Sequence, residues 1–188
     1  GACYGIEHAQ GSRWPVANGE RIINVDEVAA GGEHNRVNAL EAIALTDTMA
    51  VSRTAQRTAL MTFTGLPHRC QTVCVHNGVE WIDDSKGTNV GATCAAIAGV
   101  FAQRGGVLIA GGQGKGADVR PLADALSGRV HSVVLIGEDA AAIARVIESV
   151  VDVQFAVDMR SAVAAAGSLA RPGDAVLLSP ACASFDMF

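Results

Sequence analysis

Aromatic, basic and proline residues are scarce in this sequence. Only 4% of its 188 residues are aromatic, five are proline, and 14 Lys and Arg stand against 19 Asp and Glu, so the formal net charge is −5. The lack of a basic surplus argues against a sequence-independent nucleic-acid binder, which needs a basic face. Five prolines leave no room for a proline-rich linker. Hydrophobic residues make up 49%, so the chain can bury a core and is not disordered throughout.

Disulfide and metal-binding patterns are also missing. The five cysteines are widely spaced and form no CxxC pair, which argues against a zinc ribbon, a thioredoxin-type site or a disulfide framework. No pair of histidines has a metal-ligand spacing such as HExxH. We therefore predict reduced thiols in a cytoplasmic protein, and no metal ligands in this chain.

Membrane and export signals are absent as well. No basic segment followed by an apolar run marks a signal peptide, and the longest uncharged stretch, residues 87–103, is too short and too polar to span a membrane. The first residues do not resemble a natural start, and only nine residues follow the apolar run at 175–179, where a parallel strand should lead into a helix. We expect a fragment that is cut at both ends.

The first third of the chain differs in pattern from the rest. Residues 1–33 indicate short strands and turns, and Asn18-Gly19 favours a tight hairpin leading into Arg21–Val25. Apolar residues at helical spacing predict a helix over 34–50, and a second over 52–61 with Ser52 as its N-cap. Because Gly65-Leu66-Pro67 breaks the helix, we place a domain boundary there, dividing residues 1–66 from 67–188.

Beyond the boundary, strands alternate with helices. Continuous apolar runs such as Val107–Ala110 and Val133–Ile136 are typical of parallel strands covered on both faces, and Asn77-Gly78 predicts a hairpin. The fold class is therefore α/β, an open, mostly parallel, doubly wound sheet whose ligands bind beyond the carboxyl ends of the strands. The predicted strands are 70–76, 79–83, 106–111, 131–137, 152–156 and 174–179, and the predicted helices are 88–102, 118–127, 139–149 and 158–170.

Three loops at predicted strand ends have compositions that suit a ligand. Glycines around Lys115, at 111–116, would let the backbone approach an anion, although the loop is neither a P-loop nor GxGxxG and could be a flexible turn with a solvated lysine. Residues 83–89 hold two carboxylates and a lysine, more than helix capping by Thr88 or Asn89 requires. The third loop, 179–186, contains Cys182, for which a small buried residue is a better interpretation than a nucleophile.

Six segments together resemble the Mur ligases, the ATP-dependent amino-acid ligases of peptidoglycan synthesis. The resemblance runs from about residue 31 to the end, and the fourth and sixth segments are most similar to the member that adds D-glutamate. In chain order the segments are His34-Asn35-x-x-Asn38-Ala39, Phe63-Thr-Gly-Leu-Pro-His-Arg69, Asn77-Gly-Val-x-Trp-Ile82, Asp84-Ser-Lys-x-Thr-Asn89, Gly111-Gly-x-Gly-Lys115 and Leu178-Ser-Pro-Ala-Cys-Ala-Ser-Phe-Asp186.

The resemblance implies a three-domain enzyme. Residues 1–66 would be the end of the central ATP-binding domain, and 67–188 most of a Rossmann-like C-terminal domain, truncated at its end. The P-loop, the Mg²⁺ ligands and the UDP-sugar site would lie outside this chain, so we expect the fragment alone to be inactive. In the intact enzyme, ATP would phosphorylate the carboxylate of UDP-N-acetylmuramoyl-L-alanine and the amine of D-glutamate would attack the acyl phosphate, serving cell-wall synthesis and thereby cell shape and division.

The resemblance also implies which residues bind substrates, and it assigns no catalytic residue to this chain. Thr88 and Lys115 would hold one carboxylate of D-glutamate, and Ser184 with the adjacent Phe185 the other. On the nucleotide side, Asn35 and Asn38 resemble adenine contacts, Arg69 a phosphate contact, and Asp84 with Lys86 a ribose or phosphate contact, so that ATP would bind where the two domains meet. No nucleic-acid or membrane partner is implied, and we expect a monomer.

Two other interpretations stay open from the residues. A non-catalytic α/β module that binds a nucleotide or a small anion would also use glycine-rich loops at strand ends, and it is favoured if the chain is complete, because no P-loop is present. A folylpolyglutamate-type ligase also adds glutamate. The Asp84–Asn89 and Ser179–Ser184 segments argue against this second alternative.

Overall fold

The computed structural model describes residues 3–9, 11–30, 33–114 and 116–183, without the side chains of residues 33 and 34. It divides into two compact units, residues 1–65 and residues 66–188. Each unit is described by itself below.

The first unit opens with a small antiparallel sheet of β1 (Tyr4–Ala9), β2 (Ser12–Ala17) and β3 (Glu20–Arg21). The hairpin predicted at Asn18-Gly19 forms, with both residues at positive φ, as a two-residue turn requires. The strand ends at Arg21 instead of continuing to Val25. A 3₁₀ turn at Val25–Glu27 follows, because the Asn24 side chain accepts the Asp26 N–H while Glu27 accepts the Asn24 N–H.

Two helices complete this unit, α1 (Glu33–Thr48) and α2 (Arg53–Thr62). Ser52 caps α2 as predicted, since its hydroxyl accepts the Ala55 N–H at 3.3 Å. Asp47, near the end of α1, receives hydrogen bonds from Arg53 and Gln56 of α2 and from the Tyr4 hydroxyl of β1. The hydrogen bond from Arg53 is the main reason that the pKa of Asp47 lies below its usual value. One carboxylate thus joins three elements of the unit.

The second unit is built on a six-stranded sheet, which confirms the predicted fold class. Its strand order is β4-β5-β9-β6-β7-β8; β4 is antiparallel to β5, and every other pair is parallel. The last strand therefore lies in the middle of the sheet. The strands are β4 (Gln71–His76), β5 (Val79–Asp83), β6 (Gly106–Gly111), β7 (Ser132–Ile136), β8 (Asp152–Phe155) and β9 (Ala175–Leu178).

Helices cover the sheet on both faces, which explains why the central strands are apolar without alternation. The larger core cluster contains Ile97, Leu122 and Ile143 from three helices, and the smaller one contains Ala162 and Ala166 from the fourth. Each helix lies within its predicted range. They are α3 (Val90–Val100), α4 (Pro121–Leu126), α5 (Ala140–Ile147) and α6 (Met159–Leu169). Among the helices that the structure describes, none is long and apolar enough to cross a bilayer.

The parallel strands bring several loops to one edge of the sheet. β5, β9, β6 and β7 are neighbours that run in the same direction, so the segments that follow them all begin at the carboxyl edge. This is where an open α/β sheet binds its ligands. The segments singled out in the sequence for their composition follow β5, β6 and β9.

Candidate functional site

Main-chain hydrogen bonds join the three loops at the carboxyl edge. The Ala181 N–H donates to the Gly87 carbonyl at 2.8 Å, which links the loop after β9 to the loop after β5. The Gly111 N–H donates to the Pro180 carbonyl at 2.9 Å. Gln113 and Ala183 exchange hydrogen bonds of 2.8 and 3.1 Å as an isolated bridge. The loop after β9 is therefore fixed on both sides.

The described part of the glycine loop packs tightly. Gly111 and Gly112 have φ of 121° and 128°, and a Cβ on Gly112 would lie 2.5 Å from the Ala183 carbonyl oxygen, so only glycine fits there. The Gly114 N–H donates to the Asp139 carboxylate at 2.6 Å. Up to Gly114 the loop is ordered by specific contacts, unlike a flexible turn. Lys115, the predicted carboxylate ligand, lies outside the described residues, as do Ser184 and Phe185.

Asp84 lies below the surface of this edge, and its carboxylate is engaged inside the protein. The residue is 6% exposed. One oxygen accepts the Ser179 hydroxyl at 2.7 Å, and the other accepts the Cys70 N–H at 3.2 Å. Ser179 also lies 2.8 Å from the Thr93 hydroxyl on α3. Sequence reasoning did not select Ser179 and Thr93 as site residues; the only signal for Thr93 is a hydroxyl within an otherwise apolar helix.

Two cysteines lie near this edge, in different environments. Burial, with a contribution from the Asp84 carboxylate, raises the pKa of Cys70 to about 12, so its thiol stays protonated at neutral pH. Cys182 is buried in the larger core cluster, in agreement with its interpretation as a small buried residue. The environment of Cys70 therefore disfavours the reactive thiolate.

Thr88 and Lys86 are exposed on the loop after β5. Asn89, and not Thr88, caps α3, because its side chain accepts the Ala92 N–H at 2.9 Å. The Thr88 side chain thus stands at the amino end of a helix, where the dipole favours an anion. Lys86 and Lys115 are the only two lysines in the sequence, and both belong to segments of this edge, a signal that sequence reasoning overlooked.

Arg69 lies in a short segment that is held in place by Asp83 and Asp84. His68 and Cys70, on either side of Arg69, have φ of 63° and 46°, a costly conformation for these residues. The His68 ring nitrogen lies 2.7 Å from the Asp83 carboxylate, and the Cys70 N–H is bonded to Asp84. The exposed Arg69 side chain therefore projects from an anchored backbone.

The charge state of Asp83 follows from these contacts. Burial raises its pKa, but the hydrogen bonds from His68 and from the Ser85 N–H at 2.8 Å outweigh burial, so the net pKa is lowered. Asp83 is thus ionised at neutral pH.

The backbones that carry Arg69 and Lys86 adjoin each other. The Lys86 N–H donates to the carbonyl of His68, the residue before Arg69, at 3.2 Å.

Asn35 and Asn38, the predicted adenine contacts, belong to the first unit. They lie one turn apart on α1, with the Asn38 amide donating to the Asn35 side-chain oxygen at 3.4 Å. Asn38 is exposed and Asn35 is half-buried. As for metals, no group of three or more His, Cys, Asp or Glu side chains that could hold an ion occurs within the described ranges.

A protein-family model and curated relatives identify the family of this chain. The Mur ligase, glutamate ligase domain family matches residues 68–182. The UDP-N-acetylmuramoylalanine–D-glutamate ligases of Nitrosococcus oceani and of Legionella pneumophila strain Paris are each 48% identical, over 98% of this chain and 41% and 42% of their own lengths. Among solved structures, UDP-N-acetylmuramate-alanine ligase from Thermotoga maritima is 20% identical with a TM-score of 0.70, covering 96% of this chain and 43% of that one, and shows the shared fold.

The chain thus spans about two fifths of the length of these curated relatives. The family match covers more than half of the chain and nearly all of the second unit, including the loops after β5 and β6 and the loop after β9 up to Cys182. Residues 68–182 match the family's glutamate ligase domain, and the chain belongs to the Mur ligase family.

Proposed function

We propose that the chain is part of an ATP-dependent ligase that adds D-glutamate to UDP-N-acetylmuramoyl-L-alanine in peptidoglycan synthesis. Support comes from the family match and from relatives of that name at 48% identity over almost all of the chain. Residues 1–66 would belong to the central ATP-binding domain, and 67–188 would form the C-terminal amino-acid-binding domain. Within the cell, the protein would act as a monomer in the cytoplasm.

The observation that carries this proposal is the joining of three loops at the carboxyl edge of the second unit. D-Glutamate has two carboxylates, so its site needs cationic or hydroxyl and N–H donors at two points. We assign Thr88 and Lys115 to one carboxylate, and Ser184 with Phe185 to the other. The hydrogen bonds of Gly87 with Ala181, and of Gln113 with Ala183, connect the three segments from which these residues come.

The nucleotide would use the cations beside this loop cluster. Arg69 and Lys86 are exposed, and their backbones are connected through the hydrogen bond to the His68 carbonyl, which suits the phosphates of ATP. One Asp84 oxygen accepts the Cys70 N–H beside Arg69, and the Asp84 carbonyl accepts the Gly87 N–H beside Lys86, so we propose that Asp84 positions the backbone that carries these two cations. Asn35 and Asn38 would contact adenine. The Mg²⁺ ligands would be supplied by segments outside this chain.

In such a ligase, the residues of this chain bind and orient. Fixing both carboxylates of D-glutamate leaves the amine as the free nucleophilic end, and holding it against an acyl phosphate turns a bimolecular step into an effectively unimolecular one. An acyl phosphate is also lost to hydrolysis, so a site from which water is excluded protects it.

The test is phosphate release by the full-length protein with ATP, UDP-N-acetylmuramoyl-L-alanine and one amino acid at a time. We expect release with D-glutamate and not with L-glutamate, D-aspartate or L-alanine. Release with none of them, despite binding of ATP or D-glutamate, would favour the non-catalytic binding module. The isolated chain should release no phosphate, because its sequence contains no P-loop.

The two lysines provide a matched pair of variants. Lys115→Ala should raise the KM for D-glutamate by about 10- to 100-fold, the cost of one charge-assisted contact, and should change the KM for ATP little. Lys86→Ala should do the reverse. Equal effects of both variants on both substrates would contradict the assignment of the lysines to separate halves of the site.

A further inference from the structure

Three polar side chains are buried together beneath the loop after β5. Thr93 and Ser179 are each 0% exposed and Asp84 is 6% exposed. The Ser179 hydroxyl lies 2.7 Å from the Asp84 carboxylate and 2.8 Å from the Thr93 hydroxyl. Burying polar groups costs free energy unless each finds a partner, so such a cluster requires a complete set of hydrogen bonds.

The direction of each hydrogen bond follows from the proton count. A serine has one hydroxyl proton, and Ser179 donates it to the Asp84 carboxylate. Thr93 must therefore donate to Ser179. The Thr93 hydroxyl also donates to the Gly87 carbonyl at 3.2 Å, so its single proton is shared between Ser179 and Gly87. The order of donors is thus Thr93 to Ser179 to Asp84, and removing either hydroxyl interrupts it.

Gly87 connects this cluster to the surface loops. Its N–H donates to the Asp84 carbonyl at 2.7 Å, and its carbonyl accepts the Ala181 N–H at 2.8 Å. A Cβ at this position would lie 2.5 Å from the Ser179 hydroxyl and closer still to the Asp84 carboxylate. The Gly87 backbone therefore packs directly against the hydroxyl cluster of Thr93, Ser179 and Asp84. Thr88 is the next residue in the chain.

We propose that Thr93 and Ser179 are positioning residues for the acidic amino-acid substrate. Their hydroxyls hold Gly87 against the loop after β9, and this sets the distance between Thr88 and the segment that continues to Ser184. Neither hydroxyl is exposed to a ligand, so both act through the loops they fix. This inference rests on the proposed function, because it concerns the site of D-glutamate.

The test compares variants of the full-length protein that differ by one hydroxyl. Thr93→Val keeps the branched shape and removes the hydroxyl, whereas Thr93→Ser keeps the hydroxyl and removes a methyl group. We expect Thr93→Val and Ser179→Ala to raise the KM for D-glutamate about tenfold, as for a lost buried hydrogen bond, with the KM for ATP changed less than about threefold. Thr93→Ser should keep a nearly normal KM for D-glutamate.

Ser132→Ala is the matched control. Ser132 is also a buried serine, 5% exposed, but it begins β7 and contacts His131, at the opposite edge of the sheet. Its loss should lower the melting temperature without changing either KM.

Two results would overturn the inference alone. One is a lower melting temperature with unchanged KM values in Thr93→Val and Ser179→Ala; the other is a Thr93→Ser variant as impaired as Thr93→Val, which would show that methyl packing matters and the hydroxyl does not. A wild-type protein without D-glutamate-dependent phosphate release would overturn the proposed function first, and the inference with it.

Discussion

Replacing Gly87 by alanine should destabilise the second unit strongly. The added methyl group would overlap the Asp84 carboxylate and approach the Ser179 hydroxyl to 2.5 Å, and it would also lie 3.0 Å from the Asp84 carbonyl. The Asp84 carbonyl belongs to the backbone, and the Asp84 carboxylate and the Ser179 hydroxyl are hydrogen-bonded inside the protein. None of these groups can move at low cost.

The magnitude combines two effects. Forcing a methyl group into a well-packed site costs about 1–3 kcal/mol, and separating the Ser179 hydroxyl from the Asp84 carboxylate loses a hydrogen bond to a charged group, about 1.5–3 kcal/mol. We expect a loss of about 2.5–6 kcal/mol. Since domains are stable by about 5–15 kcal/mol, this is a large fraction of the total.

Gly91→Ala is the matched control, four residues further along. A Cβ there meets only the Asn89 side chain at 3.5 Å, an ordinary contact, and Gly91 lies inside α3. Alanine is preferred to glycine in a helix, so this variant should be neutral or more stable by up to about 1 kcal/mol. The two variants add the same atom and differ only in what surrounds it.

Urea denaturation followed by tryptophan fluorescence provides the measurement. Trp81 is the only tryptophan of the second unit, and Trp14 the only one of the first, so a Trp14→Phe background isolates the signal. A midpoint for Gly87→Ala equal to that of the parent protein, with the expected behaviour of Gly91→Ala, would refute the close packing of Gly87 on the hydroxyl cluster.

Three further predictions follow from the same edge. The sequence alone suggests that Asp84→Asn impairs only ATP use. Because the Asp84 carboxylate holds the segments at Ser179 and at Cys70, we expect higher KM values for both substrates and a stability loss of about 2 kcal/mol. A selective rise of the KM for ATP would contradict this. At pH 8, iodoacetamide should label the exposed Cys74 at least about tenfold faster than Cys70, whose pKa is raised to about 12; equal rates by peptide mass spectrometry would refute it. His68→Ala should raise the pKa of Asp83 in a carbon-13 NMR titration, because it removes a hydrogen bond that lowers this pKa. In the unmodified protein the lowered pKa stabilises the fold above about pH 4, and this stability is lost as the pH falls through the folded-state value. An unchanged Asp83 titration in the variant would exclude His68 as the cause.

Local pattern was enough to predict the elements of the second unit. The apolar run at Val107–Ala110 became β6, and the Asn77-Gly78 turn became the hairpin between β4 and β5. These predictions succeeded because strand length, turn type and helix capping depend on residues close together in the chain. The 3₁₀ turn after Arg21 was missed because it depends on two side-chain caps, from Asn24 and Glu27, that compete with continuation of the strand.

The composition of three loops also singled out one edge of the sheet, and main-chain hydrogen bonds join those loops there. Which residues of those loops face a ligand is a different matter. Asp84 and Lys86 are two residues apart and were grouped together, yet the carboxylate is buried and the lysine is exposed. The burial of Asp84 depends on a segment distant in sequence that packs against it. That segment contains Ser179, which lies 95 residues further along the chain and donates a hydrogen bond to the Asp84 carboxylate.

The sequence by itself determined the α/β class, the positions of the strands and helices of the second unit, and the resemblance to the Mur ligases, because each rests on local periodicity or on short motifs. Only the tertiary structure decided that the last strand enters the middle of the sheet between β5 and β6. That insertion brings Ser179 onto Asp84 and Ala181 onto Gly87. The choice of neighbour for each strand leaves no local pattern, because the hydrogen bonds between strands join backbone groups that nearly every residue carries.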